Sequence, residues 1–568
     1  NLGSGWTWIR RAAVESVHEY QQGAATLFVD SDINTSQPDH TVLPLVALDG
    51  TNGFRMDGID PSDDAGFSVS TAGDFNGDGF DDVIVSARSA DPVGETFVVF
   101  GSADPASASL DLATLDGSNG FRLDGADEEE IAGWSVSDAG DVNGDGVDDI
   151  LVGAPFSFPA GATYVVFGST DDFPASLGLA QLDGSSGFRI DGIDVNDNSG
   201  SSVSGAGDVN GDGFNDILIG AHFADPDSNA TAGETYVVFG SDQGFPETLD
   251  LGALDGSNGF RLDGIASGDE SGRAVSAAGD VNGDGIGDLL IGAPLADTGN
   301  IGKTGEAYIV FGSTGGFAAS LDLDELSGTS GFTIIGIDDD DFSGIAVHEA
   351  GDINGDGFDD ILIGAQGADP GGQTDAGAAY VVLGSGNGFP ETLNLSELDG
   401  SNGFQLNGVD GGSFAGASVS SAGDVNGDGL DDILVGSPAP MAASVSPASL
   451  GLSHIVFGSS DGFPAKIDLD SLNPNTGFQL SGIEEGDELG TSVSSAGDVN
   501  GDGFDDILIG APLADAGGDA DAGEAYLVYG GDYSGSVTQT GTSNNDTLTA
   551  TSDPDVLISA QGNDTLSD

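Results

Sequence analysis

Short apolar runs alternate with Gly- and Asp-rich turns along most of the chain. Typical runs are Gly-Trp-Ser-Val-Ser at 133–137, Asp-Ile-Leu-Val-Gly-Ala-Pro at 149–155 and Thr-Tyr-Val-Val-Phe-Gly at 163–168. Runs of this length that are rich in Val, Ile, Tyr and Phe and bounded by turn residues predict β-strands. The pattern therefore predicts an all-β protein in which helical periodicity is almost absent.

The same order of runs repeats seven times. Each unit contains a nine-residue stretch of the type Asp-Val-Asn-Gly-Asp-Gly-Phe-Asp-Asp, complete at 498–506. The copies begin at Asp74, Asp141, Asp208, Asp280, Asp352, Asp424 and Asp498, 67 to 74 residues apart. Four strands in each of seven units predict a seven-bladed β-propeller of about 28 strands over residues 42–533.

The two ends of the repeat array predict how the ring closes. The seventh unit has no Gly-Phe element after its third strand, whereas an unpaired Gly-Phe element lies at 53–58. An N-terminal strand that completes the last blade would leave no open sheet edge. Residues 1–41 match no repeat; a helix is expected over 10–22 and a strand over 25–30, and no function is assigned to them.

Each nine-residue loop carries oxygen ligands at alternating positions. Side chains supply them at positions 1, 3, 5 and 9, and a backbone carbonyl supplies one at position 7. Hard oxygens that converge from a tight loop suit Ca²⁺, so we predict about seven Ca²⁺ ions with a structural role. The predicted ligands are Asp74, Asn76, Asp78, Phe80, Asp82; Asp141, Asn143, Asp145, Val147, Asp149; Asp208, Asn210, Asp212, Phe214, Asp216; Asp280, Asn282, Asp284, Ile286, Asp288; Asp352, Asn354, Asp356, Phe358, Asp360; Asp424, Asn426, Asp428, Leu430, Asp432; Asp498, Asn500, Asp502, Phe504 and Asp506.

A hairpin turn and an EF-hand are the two other interpretations of these loops. Asn-Gly and Asp-Gly pairs alone make hairpin turns, but seven copies that all keep four oxygen-bearing side chains favour a metal. An EF-hand needs a Glu at position 12 between two helices, whereas position 12 here is Val85, Val152 or Ile219 within an apolar run. The loop therefore leads into a strand.

Composition restricts the environment and the partners. The 568 residues include no Cys, and 96 acidic residues against 10 basic ones give a formal charge of −86. Nucleic acid and anionic membranes are poor partners for such a surface. No apolar run approaches the ~18 residues that span a bilayer, so membrane insertion is not expected. The first residues show no signal peptide, and an extracellular, Ca²⁺-rich location is predicted.

The repeat contains three motifs in a fixed order, with substitutions in some copies: Phe/Trp-Ser-Val-Ser, Asp-x-Asn-Gly-Asp-Gly and Gly-Ala-Pro. This order resembles the FG-GAP repeats of the integrin α-subunit N-terminal propeller. The resemblance covers 42–533. It implies Ca²⁺ in the loop between the first and second strands of a blade, and ligand binding on the opposite face. Integrin propellers carry the loop in only some blades, and this chain has no leg domains, so a bacterial relative is expected.

The last residues, 534–568, contain a linker and three nonapeptides. Asp546, Asp555 and Asp564 are nine residues apart, as are Leu548, Leu557 and Leu566. This spacing is similar to the RTX parallel β-roll, which also binds Ca²⁺, although the leading Gly-Gly pair is missing. The resemblance implies the start of a longer array and export without an N-terminal signal peptide.

The function predicted from these features is that of a secreted or cell-surface adhesion module. A protein or glycan ligand would bind the rim opposite the Ca²⁺ loops, where loops such as 156–161 and 439–452 differ most. One rim position reads Phe67, Trp134, Ser201, Arg273, Ile345, Ala417 and Thr491 around the ring, and the Pro of Gly-Ala-Pro is replaced by Arg88, His222 and Gln366. Such variation is equally expected from a ligand site and from neutral drift.

Enzymatic activity is not predicted. The five histidines, His18, His40, His222, His348 and His454, occupy scattered repeat positions, and no Cys nucleophile exists. The alternative is a polysaccharide lyase or hydrolase that uses Arg88, Arg273 and Lys303 against an acidic glycan, although the acidic surface would repel polyanions. A self-assembling surface-layer or matrix protein is the third interpretation.

Overall fold

The computed structural model describes residues 42–90, 93–104, 106–297, 302–438 and 450–533, together with short strands near both ends of the chain. Near the N-terminus, strands Thr7–Arg11, Val17–Gln22 and Ala25–Asp30 form an antiparallel sheet. The strand predicted over 25–30 is confirmed. The helix predicted over 10–22 is wrong, because two of these strands occupy that segment.

Seven five-stranded sheets form the blades of a β-propeller. The first four strands of each sheet are antiparallel, and a short fifth strand from the next repeat pairs in parallel with the fourth. The predicted total of about 28 strands is therefore too low. The fifth strand was missed because only three residues pair, within the segment Ser-Leu-Asp-Leu or its equivalents, which is too short for a period to be read.

The blades are numbered by the order of their nine-residue loops. First strands are Ala65–Gly73, Ser135–Gly140, Ser202–Gly207, Ala274–Gly279, Ala346–Gly351, Ser418–Gly423 and Val493–Gly497. Second strands are Asp82–Ala87, Asp149–Ala154, Asp216–Ala221, Asp288–Ala293, Asp360–Ala365, Asp432–Ser437 and Asp506–Ala511. Third strands are Glu95–Val99, Ala162–Val166, Glu234–Val238, Glu306–Val310, Ala378–Val382, Leu452–Val456 and Glu524–Val528.

Fourth and fifth strands complete the sheets. Fourth strands are Gly120–Asp124, Gly187–Asp191, Gly259–Asp263, Gly331–Ile335, Gly403–Asn407, Gly477–Ser481 and, for blade 7, Gly53–Asp57. Fifth strands are Ser176–Gly178, Thr248–Asp250, Ser320–Asp322, Thr392–Asn394, Lys466–Asp468, Val42–Pro44 and Ser109–Asp111. The helices of the described residues are 3₁₀ turns: Leu45–Ala47, Leu112–Thr114, Leu179–Gln181, Pro226–Ser228, Leu251–Ala253, Leu323–Glu325, Pro370–Gly372, Leu395–Glu397, Leu469–Ser471 and Ala516–Gly518.

The hydrophobic core lies between neighbouring blades. All six residues of each second strand are buried, since both faces of the sheet are covered. Between blades 1 and 2, for example, Ile84 and Phe121 pack in one cluster with Val152 and Tyr164. The first strands lie side by side in a closed ring in which that of blade 7 contacts that of blade 1.

Blade 7 combines strands from distant parts of the chain. Its third strand, Glu524–Val528, pairs antiparallel with Gly53–Asp57, so that Gly53 lies opposite Val528 and Asp57 opposite Glu524. Val42–Pro44 adds the fifth strand of blade 6 by pairing with Gln479–Ser481. Residues that precede the first nine-residue loop thus supply the fifth strand of blade 6 and the fourth strand of blade 7.

A buried histidine in blade 6 predicts an acid-sensitive position. His454 occupies the strand position that is Phe97 in blade 1 and Tyr164 in blade 2, and its Nδ1 has no hydrogen-bond partner. Burial lowers the pKa of His454 to about 4. A depressed pKa contributes stability that is present above the usual value near 6.5 and is lost as the pH falls towards 4.

We therefore expect His454→Phe to lose less stability on acidification than the parent protein. Between pH 7 and pH 4 the difference in unfolding free energy should shift by about 3 kcal/mol in favour of the variant. Urea denaturation of both proteins at each pH measures this, and the comparison cancels the titration of the common carboxylates. Parallel pH profiles of the two proteins would contradict the assignment.

Candidate functional site

Each nine-residue loop folds around the carboxylate at its first position. In blade 2, Asp141 accepts hydrogen bonds from the backbone N–H groups of Gly144, Asp145 and Gly146 at 2.7, 3.0 and 2.9 Å. Gly144 and Gly146 both have positive φ, 75° and 89°, which lets the chain turn this tightly. The loop is therefore held in shape by its own acidic side chain.

The carboxylate at position 9 anchors the loop to the sheet. Asp149 is fully buried and accepts from the N–H of Gly168 at 3.0 Å and of Val142 at 3.1 Å. The Nδ2 group of Asn143, at position 3, lies 3.3 Å from the same carboxylate. Because Gly168 follows the third strand, this one side chain joins the loop to two strands of the blade.

Burial sets the protonation of the position-9 carboxylates. Desolvation, with added repulsion from the carboxylates at positions 5 and 1, raises the pKa of Asp82, Asp149, Asp216 and Asp360 to about 8 and that of Asp288 to about 7. The pKa values of Asp432 and Asp506 are raised well above the usual range for the same reason. An added cation nearby would favour the charged form of these groups.

The predicted ligands fit Ca²⁺ in their donor chemistry. The loops offer only oxygen atoms, and two of these, Oδ1 of Asp74 and Oδ1 of Asn426, are buried without a hydrogen-bond partner. Across the described ranges, however, no three Asp, Glu or His side chains are gathered as a metal cluster. In each loop, the side chains that would hold an ion are the Asp carboxylates of positions 1, 5 and 9 and the Asn amide oxygen of position 3.

Position 8 has a role that sequence reasoning missed. Its side chain reaches the previous blade, where it accepts a hydrogen bond from the backbone N–H of position 1 of that loop. The links are Asp148 to Asp74, Asp359 to Asp280, Asp431 to Asp352, Asp505 to Asp424 and Asp81 to Asp498, at 2.6 to 3.0 Å. Blades 3 and 4 carry Asn215 and Gly287 instead. The sequence signal for this link was the Asp found at position 8 in five of the seven loops.

On the opposite rim, residues near the start of the first strands, within the strand in blade 1 and just before it in blades 2 to 4, lie side by side. The N–H of Val136 donates to Oγ of Ser68, that of Val203 to Ser135, and that of Val275 to Ser202, at 3.1 to 3.2 Å. Each of these serines follows a rim residue. Consequently Phe67, Trp134, Ser201 and Arg273 line consecutive positions of the central opening. We call these four residues, with Arg88 and His222, the axial mouth.

Aromatic rings hold Arg88 at one side of the axial mouth. Its guanidinium carbon lies 3.3 Å from the ring centre of Phe67 and 4.7 Å from that of Trp134. Asp64 approaches the guanidinium at 3.5 Å. Trp134 in turn meets the edge of Phe156, with ring centres 5.2 Å apart, and 43% of Phe156 is exposed.

A hydrogen-bond relay supports Arg273 at the other side. Its Nη1 lies 3.3 Å from Nε2 of His222, whose Nδ1 lies 2.7 Å from Oγ of Ser201. Because a guanidinium can only donate, Nε2 must accept and the ring proton must lie on Nδ1. Burial and the Arg273 charge lower the pKa of His222 to about 3, so the imidazole is neutral. The carboxylate of Glu270 lies 3.4 Å from Nη1.

The other residues singled out in the sequence are dispersed. Nδ1 of His348 lies 2.8 Å from the backbone carbonyl oxygen of Glu349, and Lys303 lies over the ring of Phe342 at 5.6 Å. Residue 40, the side chain of His18 and most of the long rim loop, 439–449, are outside the described residues, as are the side chains of the C-terminal nonapeptides. Short strands there, Thr547–Thr549 and Thr565–Ser567, pair in parallel.

Comparison with protein families finds the FG-GAP repeat seven times. The matched segments are 65–100, 132–166, 199–238, 271–310, 349–382, 415–456 and 489–528. Each segment runs from the first strand of a blade, or just before it, through the nine-residue loop to the third strand; the blade 5 match begins at 349, within its first strand. The repeat that the resemblance predicted is therefore found in every blade.

Individual relatives fall into two groups. The chain is 28% identical over 312 residues to phosphatidylinositol-glycan-specific phospholipase D of Bos taurus, covering 54% of this chain and 34% of that protein. It is 29% identical over 278 residues to integrin alpha pat-2 of Caenorhabditis elegans, covering 46% and 20%. It is 35% identical over 173 residues to integrin alpha-PS5 of Drosophila melanogaster, covering 30% and 15%. The chain thus spans about a third or less of these relatives.

The phospholipase matches correct one prediction. The chain was not expected to be an enzyme, because its histidines are scattered and it has no Cys nucleophile. Relatives that are enzymes by name contradict that conclusion. The repeat pattern indicates only the propeller scaffold. Enzymes and adhesion receptors can share such a scaffold. In the part of the chain that the structure describes, no helix has the length and apolar character to cross a membrane.

Proposed function

Because seven FG-GAP repeats make up the blades of this chain, we propose that it is a calcium-stabilised adhesion module of the integrin α type. It acts outside the cell and holds a protein or glycan ligand on the rim opposite the nine-residue loops. The observation that carries the proposal is the match of every blade to the FG-GAP repeat, together with the integrin α relatives.

Calcium belongs to this proposal through the loops. The side chains at positions 1, 3, 5 and 9 and the carbonyl at position 7 would hold one ion in each blade. Bound Ca²⁺ would supply positive charge among carboxylates that otherwise repel one another. Asp149 and its equivalents would connect the ion-bound loop to the sheet, because their backbone hydrogen bonds join the loop to two strands.

We also propose that the C-terminal nonapeptides form RTX-like repeats, in which short strands such as Thr547–Thr549 and Thr565–Ser567 pair in parallel.

A second candidate function follows from the phospholipase relatives. The chain would then be the part of a phosphatidylinositol-glycan-specific enzyme that recognises substrate. The observation in favour is that mammalian and Dictyostelium discoideum phospholipases of this name match 54–58% of the chain. In this case the propeller alone binds the phosphatidylinositol-glycan.

The test is a binding screen with the calcium-loaded protein. Immobilised matrix proteins, glycans and a phosphatidylinositol-glycan are probed by surface plasmon resonance, first with Ca²⁺ and then with excess chelator. We expect saturable binding to one class of ligand and its loss in chelator, because the loops hold the blades together. Binding to the phosphatidylinositol-glycan alone selects the second candidate, and saturable binding to none of the probes overturns both.

A further inference from the structure

Most arginines of the described blades are neutralised by nearby carboxylates. Arg55, Arg122, Arg189 and Arg261 lie on fourth strands, and each contacts two carboxylates within 4.0 Å. One partner is always the Asp two residues further along. These four side chains therefore offer no net charge to a ligand.

Arg88 and Arg273 are arranged differently. Each is near a single carboxylate, Asp64 at 3.5 Å and Glu270 at 3.4 Å. The remaining neighbours are neutral: two aromatic rings around Arg88 and the His222 imidazole beside Arg273. The side chain of Arg273 is 42% exposed. Both cations lie in the axial mouth, on a protein whose formal charge is −86.

From this arrangement we propose that the axial mouth is a binding site for an acidic saccharide. The carboxylate of a uronic acid pairs with the guanidinium of Arg273, and a neighbouring sugar of the same saccharide packs against the exposed ring of Phe156 on the aromatic side. The site names a ligand for the rim and so rests on the proposed function. The proposed site gives a role to residues that differ from one repeat to the next.

The relay behind Arg273 supports a fixed carboxylate site. Hydrogen bonds to His222 and Glu270 both involve Nη1, which leaves Nε and Nη2 as a pair of donors with the geometry of a carboxylate. Oγ of Ser201 donates to the carbonyl of Gly220 at 3.4 Å and lies 2.7 Å from Nδ1 of His222. These contacts fix the imidazole ring through its Nδ1 atom. His222 and Ser201 are therefore positioning residues.

The aromatic side favours a sugar over a bare anion. Phe156, which is 43% exposed, gives a flat apolar face of about the size of a pyranose ring. Its ring contacts that of Trp134 edge to face, and Trp134 contacts the guanidinium of Arg88. A hydroxyl-bearing ring with one carboxylate matches an apolar face beside a cation. Distant carboxylates of the protein are screened beyond about 8 Å at physiological salt, so a short acidic saccharide can approach.

The test uses tri-galacturonate, with its methyl ester as the uncharged control, and isothermal titration of the calcium-loaded full chain. We expect Arg273→Met to lower affinity about 10- to 100-fold, as for the loss of a charge-assisted hydrogen bond. His222→Pro, which restores the residue of Pro155 and Pro294, should also weaken binding. Lys466→Met removes an equal charge from an outer fifth strand and should leave affinity unchanged.

The outcomes separate the site from the function. Equal affinity of the acid and the ester, or of the parent and Arg273→Met, overturns the site. If tri-galacturonate fails to bind while a matrix protein binds the parent and Arg273→Met alike, the adhesion function stands and this inference fails. Unchanged thermal unfolding of Arg273→Met in Ca²⁺ shows that a lost affinity reports the mouth and not misfolding.

Discussion

In excess chelator, we expect the midpoint of thermal unfolding to fall by roughly 20 °C relative to the calcium-loaded protein. A site at 100-fold excess of ligand over Kd stabilises the native state by about 2.7 kcal/mol, and seven such sites act on one ring. No disulfide compensates, since the chain has no Cys. Calorimetry in Ca²⁺ and in chelator measures the change.

Two controls make this result specific. Mg²⁺ should not restore the midpoint, because it demands a smaller, near-octahedral set of ligands. Asp352→Asn, which alters position 1 of the blade 5 loop, should reduce the Ca²⁺-dependent shift by about one seventh of its size. A midpoint that is the same with and without chelator would mean that the seven loops are only hydrogen-bonded turns.

The second large effect concerns the glycine that ends each first strand. Gly423 has φ +68°, and a Cβ there would lie 2.2 Å from Oδ2 of Asp505, which links blades 6 and 7. We expect Gly423→Ala to cost at least about 3 kcal/mol of unfolding free energy, since it adds left-handed strain and displaces the half-buried carboxylate of Asp505 from its hydrogen bond to Asp424. Urea denaturation in Ca²⁺ measures the loss.

Blade 3 supplies the matched control. Gly207 has nearly the same φ, +66°, but a Cβ there meets nothing within 4 Å, because blade 4 has Gly287 where five of the blades have the linking Asp. Gly207→Ala should therefore cost only the backbone strain, about 1–2 kcal/mol. Equal losses in the two variants would show that the link between blades contributes nothing to stability.

The scaffold was readable from the sequence because its signals are local and repeated. Asp-Ile-Leu-Val-Gly-Ala at 149–154 is long and apolar enough to predict a buried strand, and seven copies fix the number of blades. Three-residue pairings such as Ser176–Gly178 with Arg122 to Asp124 carry no such signal. Their partner lies in another repeat, so only the tertiary structure shows them.

The contacts between blades were harder to predict, because their partners lie in different repeats. The loop residues follow one another in sequence, so their common location was evident. The link from Asp81 to Asp498 crosses 417 residues, and the relay from Ser201 to Arg273 joins two blades. His222 looked like a substitution for proline because its partners could not be seen. Contacts between repeats are invisible to a pattern within one repeat.

The composite sheet of blade 7 also determines how the ring responds to mechanical force. Gly53 lies opposite Val528, so tension applied before Gly53 and after Val528 reaches the same end of this strand pair. The hydrogen bonds then break one after another, as in a zipper, and do not share the load as they would in shear. A propeller held by both ends would lose Val42–Pro44 from blade 6 and open at this seam, while the sheets of blades 1 to 5 stayed intact.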